Sequence, residues 1–222
     1  METPDSPTPT HARIVEGLER IATALKSDDW SRAQALGVNP TQLSILRALT
    51  GRDAGLSVKD LSSLLGVSQP TATDSILALE RKTLVEKRPD PADGRAVCVV
   101  VTDAGKAVIR AGDETAGSVR QAAAALDDAD QEQLLVQLVS VIRQLQEQGS
   151  IPVQRMCVGC RHFRPYAHED AARPHHCDFV DAAFGQQDLR IDCRDHETAG
   201  PSVRAATWAR FHKGRPLHPP GN

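Results

Sequence analysis

Apolar residues in the first half of the chain recur at three- and four-residue steps, and glycine, proline and small polar residues interrupt them. That period predicts a series of short amphipathic helices. Ile14, Val15, Leu18, Ile21, Ala22 and Leu25 form the first stripe, which Gly37-Val38-Asn39-Pro40 ends. Thr41 caps a second helix carrying Leu43, Ile45, Leu46 and Leu49. Ser57 caps a third, with Val58, Leu61, Leu64 and Leu65 on its inner side. Gly66-Val67-Ser68 is a tight turn. Ser68 caps the fourth helix, and Gln69-Pro70 opens it, because a first-turn amide has no intrahelical partner for proline to remove. On this helix Ala72, Ile76, Leu77 and Leu79 are placed inward, and Gln69, Thr71, Asp74, Ser75 and Arg81 elsewhere. Two helices joined by a glycine-containing turn, the second starting with small polar residues, form a helix-turn-helix.

The pattern then changes. Two β-rich runs, 84–88 and 96–102, flank a loop containing Asp93-Gly94, which predicts a hairpin and hence a wing. From Asp103 the helical period returns as one long helix through Leu126, and Asp127-Asp128-Ala129-Asp130 starts another. The latter carries Leu134, Leu135, Leu138, Val141, Ile142 and Leu145. So many apolar faces exceed what so small a domain can cover. The last stripe is therefore expected to pair with the N-terminal helix of a second copy, and Trp30 to seal that dimer core.

Composition sharpens the division. The chain has 222 residues and a formal net charge of −3, with 16 Lys/Arg and 21 Asp/Glu in its first 150 residues. Four of its five cysteines and seven of its eight histidines follow Gly149. We expect a Pro/Thr-rich disordered leader over 1–10, a winged-helix domain with dimerisation helices over 11–148, a Cys/His-rich module over 151–197, and a tail over 198–222 containing a short helix. No run of about 18 apolar residues is present, and the N-terminus lacks a signal-peptide core. A cytoplasmic protein without membrane contact is the expectation.

Residues 58–105 resemble the winged-helix core of the multiple-antibiotic-resistance-regulator (MarR) family. The resemblance rests on Asp60-Leu61-Ser62-Ser63-Leu64-Leu65-Gly66-Val67-Ser68, Leu79-Glu80-Arg81-Lys82-Thr83-Leu84-Val85, Asp93-Gly94-Arg95 and Val101-Thr102-Asp103-Ala104-Gly105 in that order and spacing. With the flanking helices it extends over about 12–147. One departure is Thr83, where the family commonly has glycine. The resemblance implies a mainly α fold with a small β-hairpin wing, acting as a homodimer on a pseudo-palindromic operator in double-stranded DNA. It further implies a transcriptional regulator, usually a repressor, whose DNA affinity a small-molecule effector tunes. The recognition helix falls at about 68–82. The implied base and phosphate contacts are Ser68, Gln69, Thr71, Ala72, Asp74, Ser75, Lys82, Lys87, Arg88 and the wing residue Arg95. Arg95 would enter the minor groove, with Asp93 steadying it or the loop.

The second module carries Cys157, Cys160, Cys177 and Cys193 in a C-x2-C-x16-C-x15-C array with interleaved histidines. A C-x-x-C turn presents two thiolates from one loop, and two more from distant segments complete a tetrahedron. A short chain poor in aliphatic residues also needs such a staple. Structural zinc on the four cysteines, or with His176 or another histidine replacing one, is the first expectation. An iron–sulfur cluster on the same thiolates, acting as a redox or metal sensor, is the alternative. Phe163, Tyr166, Phe179 and Phe184 are read as the apolar core around the metal, and Trp208 and Phe211 as docked by the tail helix. Cys98 is read as a packing residue, since no neighbouring charge would lower its pKa. No Ser-His-Asp set, phosphate loop or paired catalytic carboxylates stand out, so an enzyme is not expected.

Overall fold

The computed structural model describes residues 8–90, 94, 96–113 and 117–214. The expected leader falls largely outside these, as do Pro91, Ala92, Asp93 and Arg95 of the wing tip. The chain forms two compact units that meet between Ala125 and Leu126. That boundary lies ahead of the one expected near residue 150.

In the first unit, α1 (Thr10–Ala35) is followed by α2 (Pro40–Leu49), α3 (Val58–Leu65), α4 (Gln69–Arg81), β1 (Val85–Pro89), β2 (Val97–Val101), α5 (Asp103–Asp113) and α6 (Ser118–Ala124). The start of α2 shows why the chain folds here as its sequence suggests, though Asn39 and not Thr41 is the cap. The Asn39 side chain accepts the Gln42 amide, and the Gln42 side chain accepts the Asn39 amide in return. Pro40 fills the first helical position, where no donor is needed. Ser57 and Ser68 cap α3 and α4 by accepting the amides of Asp60 and Thr71. Gly66 ends α3 at φ 64°, a conformation open to glycine at little cost. The core gathers Leu43, Ile45, Leu46 and Leu49 of α2, Leu61 of α3, Ile76 and Leu79 of α4, and Val85 and Val99 of the hairpin.

β1 and β2 pair antiparallel from Val85 opposite Val101 to Pro89 opposite Val97. An isolated bridge between Leu56 and Val99 ties the hairpin to the loop before α3. Gly105, in the first turn of α5, lies against the Leu84 carbonyl so closely that a Cβ there would collide with it, which accounts for glycine at that position. The long helix expected from Asp103 to Leu126 is instead two helices, α5 and α6. A carboxylate from elsewhere starts the second one. Asp28 of α1 accepts the Val119 amide at 3.2 Å and the Ser118 hydroxyl at 3.0 Å.

The second unit starts with α7 (Asp128–Glu147), capped by Asp127. It continues through a 3-10 turn at Cys157–Gly159, then β3 (Phe163–Arg164), β4 (His175–Cys177) and β5 (Ala182–Phe184) in one antiparallel sheet, and ends in α8 (Pro201–Lys213). Its core joins Val136 and Val139 of α7 to Met156, Val158, Cys160, Phe163, Leu189 and Phe211. The cysteine-rich segment therefore shares an apolar core with α7, where a separate small module with its own aromatic core around a metal was expected. This packing moves the boundary to residue 125. The apolar stripe read along α7 divides. Leu135 and Ile142 pack on this core beside the buried Val136 and Val139, whereas Leu134, Val141 and Leu145 remain exposed. The tail helix forms as expected and seats Phe211, with the Arg143 guanidinium 4.3 Å over the Trp208 ring. Phe179 departs from its expected place in the core. It is half exposed and edge-on to His162. Among the described residues no helix is long and apolar enough to cross a membrane.

Candidate nucleic-acid interface and cysteine cluster

The α4 helix stands on a buried base formed by Ala72, Ser75, Ile76 and Leu79. Its outer surface carries Gln69, Pro70, Thr71, Thr73, Asp74, Leu77 and Arg81. Ser68, Gln69, Thr71 and Asp74 thus sit on the exposed side, as expected for groups that touch another surface. Ala72 and Ser75 do not. They are 0% and 8% exposed, because they follow the inward stripe of Ile76 and Leu79, and they are withdrawn from the contact set. Thr73 and Leu77 are exposed on the outer face instead. Leu77, expected to face inward, is 40% exposed. Both were legible as the i+4 and i+8 neighbours of Gln69, one row along the outer face.

The basic residues are less free than their sequence positions suggest. The Lys82 ammonium donates to the Gly37 carbonyl at 2.6 Å and to the Gln42 side chain, bracing the end of α4 against the α1–α2 turn. Lys87 pairs with Glu80 at 2.9 Å, and Arg88 with Glu86. These pairs are exposed and weak individually, so phosphate could displace them at small cost. The wing itself reaches out from α4 on the β1–β2 ladder, and at the loop end of that ladder the Asp90 amide donates to the Ala96 carbonyl at 2.9 Å. Arg95 and Asp93 lie outside the described residues. Cys98 is buried, its thiol 3.2 Å from Asp90, and burial together with that carboxylate pushes its pKa up. It is a packing thiol held in its less reactive form.

In the second unit Cys157, Cys160, Cys177 and Cys193 all line one cavity of about 270 Å³. The 3-10 turn places the first two, β4 the third, and the loop before α8 the last. All five cysteines of the chain are free thiols. Burial, followed by the charge of the other three, pushes the Cys157 thiol up to about 11, although the Arg190 amide donates to its Sγ at 3.3 Å. The Arg190 guanidinium lies 3.5 Å from the Cys193 Sγ. Among the described residues no three His, Cys, Asp or Glu side chains already stand close enough together to hold a metal ion.

His162, His168, His175 and His176 have other partners, whereas the Nε2 of His196 is buried without one. His175 is fully buried, and its Nδ1 accepts the Tyr166 amide at 3.2 Å. That bond assigns the proton to Nε2, which lies among the rings of Phe163, Tyr166, Phe184 and Phe211. Burial lowers its pKa to about 4, so it stays neutral. His168 and His176 face each other at 3.2 Å, and His176 also approaches Asp181. His162 borders the cavity but pairs with Glu197 at 3.1 Å.

Residues 36–96 match the family model described as "MarR family". This segment, from the end of α1 through α4 to the wing, is similar to the winged helix of that family. Among solved structures, the chain is similar to a MarR transcriptional regulator from Methanosarcina mazei Go1, with 19% identity and a TM-score of 0.54 over 61% of this chain and 98% of that one. It is also similar to the transcriptional regulator SlyA, with 22% identity and a TM-score of 0.51 over 61% of this chain and 95% of that one. Both likenesses are of fold. The comparison with curated proteins finds no match.

Proposed function

We propose that the chain is a DNA-binding transcriptional regulator, not an enzyme, which acts as a homodimeric repressor on a pseudo-palindromic operator. The observation that carries this reading is the polar outer row of α4, Gln69, Thr71, Thr73 and Asp74, on a rigid buried base beside the β1–β2 wing. A helix with that surface fits the major groove, where Gln and Thr can read base edges and basic residues near its end and on the wing meet phosphates. Arg95 would reach the minor groove from the wing tip.

The dimer reading is supported by α1. Ile14, Val15, Leu18, Ile21, Leu25 and Trp30 are all 39–64% exposed, and Ala33 is the one buried residue of that helix. A 26-residue helix with a bare apolar stripe is suited to a second copy of itself. A charged cavity bordered by Asp28, Asp29, Arg32, Arg47 and Arg120 offers an effector polar contacts of both signs. The four cysteines form a metal centre in this reading, with structural zinc or an iron–sulfur cluster as its occupant. If the centre is the switch, its loss changes operator affinity.

The test is selection of bound duplexes from a random library, followed by titration. Expected is a two-fold symmetric consensus, with Gln69→Ala and Thr73→Ala each relaxing preference at defined positions at a cost of about 1–3 kcal/mol. Enrichment of no sequence, with binding equal for all duplexes, would overturn the regulator reading.

A further inference from the structure

We propose that the four cysteines of the second unit hold an iron–sulfur cluster and not a single zinc ion. The proposal rests on the reading of Cys157, Cys160, Cys177 and Cys193 as one metal centre.

Size is the first argument. A tetrahedral zinc site needs every sulfur about 2.3 Å from one ion, which draws the sulfurs to within roughly 3.8 Å of each other. Here the four thiols share a cavity, yet among the described residues no three ligand side chains are grouped so as to hold a single metal ion. The cavity they line together with other residues, about 270 Å³, is far beyond the roughly 10–15 Å³ that a single small occupant such as water needs. Thiols spaced around a void of that size suit a body made of several irons and sulfides, held at its corners.

The donor set is the second argument. Of the histidines, His175 is in its ring cage, His176 is held against His168 and Asp181, and His162 by Glu197, while His196, with a buried and unpartnered Nε2 near Gly159, is not among the residues that line the cavity. Four thiolates line the cavity, a set that [2Fe–2S] and [4Fe–4S] clusters share with structural zinc, so the size of the space is what separates the two.

The surroundings supply the third. Phe163, Phe179, Val180 and Phe184 form an apolar part of the cavity lining, on which inorganic sulfides would rest. Arg190, also in the lining, directs its amide to Cys157 and its guanidinium to Cys193. Donors aimed at ligand sulfurs spread the negative charge of a thiolate-bound cluster and set its reduction potential.

The experiment uses the full chain, expressed with ample iron and purified without oxygen, and measures visible absorption, iron, acid-labile sulfide and zinc. Brown protein with iron and sulfide in equal amounts is expected. Cys98→Ser should keep both and Cys177→Ser should lose them. Colourless protein carrying one zinc per chain, refractory to reconstitution with iron and sulfide, overturns the cluster and leaves the metal centre standing. Wild-type protein that takes up neither metal overturns both readings. Full iron and sulfide content in Cys177→Ser overturns the assignment of ligands. Because the wild-type stoichiometry decides between zinc and cluster, a variant that fails to fold does not remove the test.

Discussion

Thr83 shows how a single position can be read by type and still misjudged in energy. It sits at φ 58°, between the end of α4 and β1, where its amide donates to the Glu80 carbonyl and its own carbonyl accepts the Thr102 hydroxyl. A β-branched residue in the left-handed region is strained, at about 1–3 kcal/mol. Sequence reading placed a small residue there without concern, because strain depends on a dihedral angle that the chain reversal imposes. Thr83→Gly should stabilise the first unit by about 1 kcal/mol, with part of the gain offset by greater backbone freedom in the unfolded chain. A rise in denaturant midpoint at unchanged slope would confirm it, and a fall would show that the Thr83 side chain contributes more than its strain costs.

At the scale of elements, helices that look alike in sequence are held by different means. The caps of α2, α3 and α4 come from residues immediately before or within each helix, so local pattern sufficed to find the helices. α6 is capped by Asp28, some ninety residues earlier, and no local pattern contains that bond. The amides of Val119 and Ser118 hold the Asp28 carboxyl below its ordinary value. Its contribution is therefore full above the ordinary aspartate value of about 4 and is lost as pH falls through the lower folded value. Asp28→Asn should lower the melting temperature at pH 7, and its gap from wild type should close as the pH is taken below about 4. A gap that does not change with pH would mean that the carboxylate charge is not what matters.

α7 makes the complementary point. Its apolar stripe was legible, but its partner was not, because several faces of equal period compete for cover and only packing chooses among them. Phe211 of α8 closes the core that Val136 and Val139 build with the cysteine-rich segment. Phe211→Ala should cost the second unit roughly 3–5 kcal/mol. With two units, heating should then resolve two transitions, the second unit's moving down while that of the first stays in place. A uniform shift of a single transition would show that the units unfold together.

For the molecule as a whole, charge and apolar exposure carry the expectations. The chain is net acidic, so association with DNA has to come from local basic groups, and several of these are paired at rest with Glu80 and Glu86. Arg88→Ala should weaken operator binding across all sequences and lower the slope of log affinity against log salt by about 1. Loss of base preference with an unchanged slope would instead place Arg88 on a base edge. Leu18→Glu, in the bare stripe of α1, should yield monomers by sedimentation and reduce operator affinity. Dimers that persist would locate the interface on another surface.

The sequence by itself determined the helix-turn-helix, the hairpin and the spacing of the four cysteines, since these depend on period, turn chemistry and order along one stretch of chain. It also carried the exposed start of α4, though not the sides taken by Ala72, Ser75 and Leu77. Tertiary structure alone decided which apolar faces were covered, that α7 joins the cysteine-rich unit, that Lys82 braces α4, and that His175 is walled in by rings. It also decided that the four thiols stand around a cavity. Those outcomes rest on contacts between distant residues, where faces of equal period and ligands of equal chemistry are distinguished only by the shape that packing leaves between them.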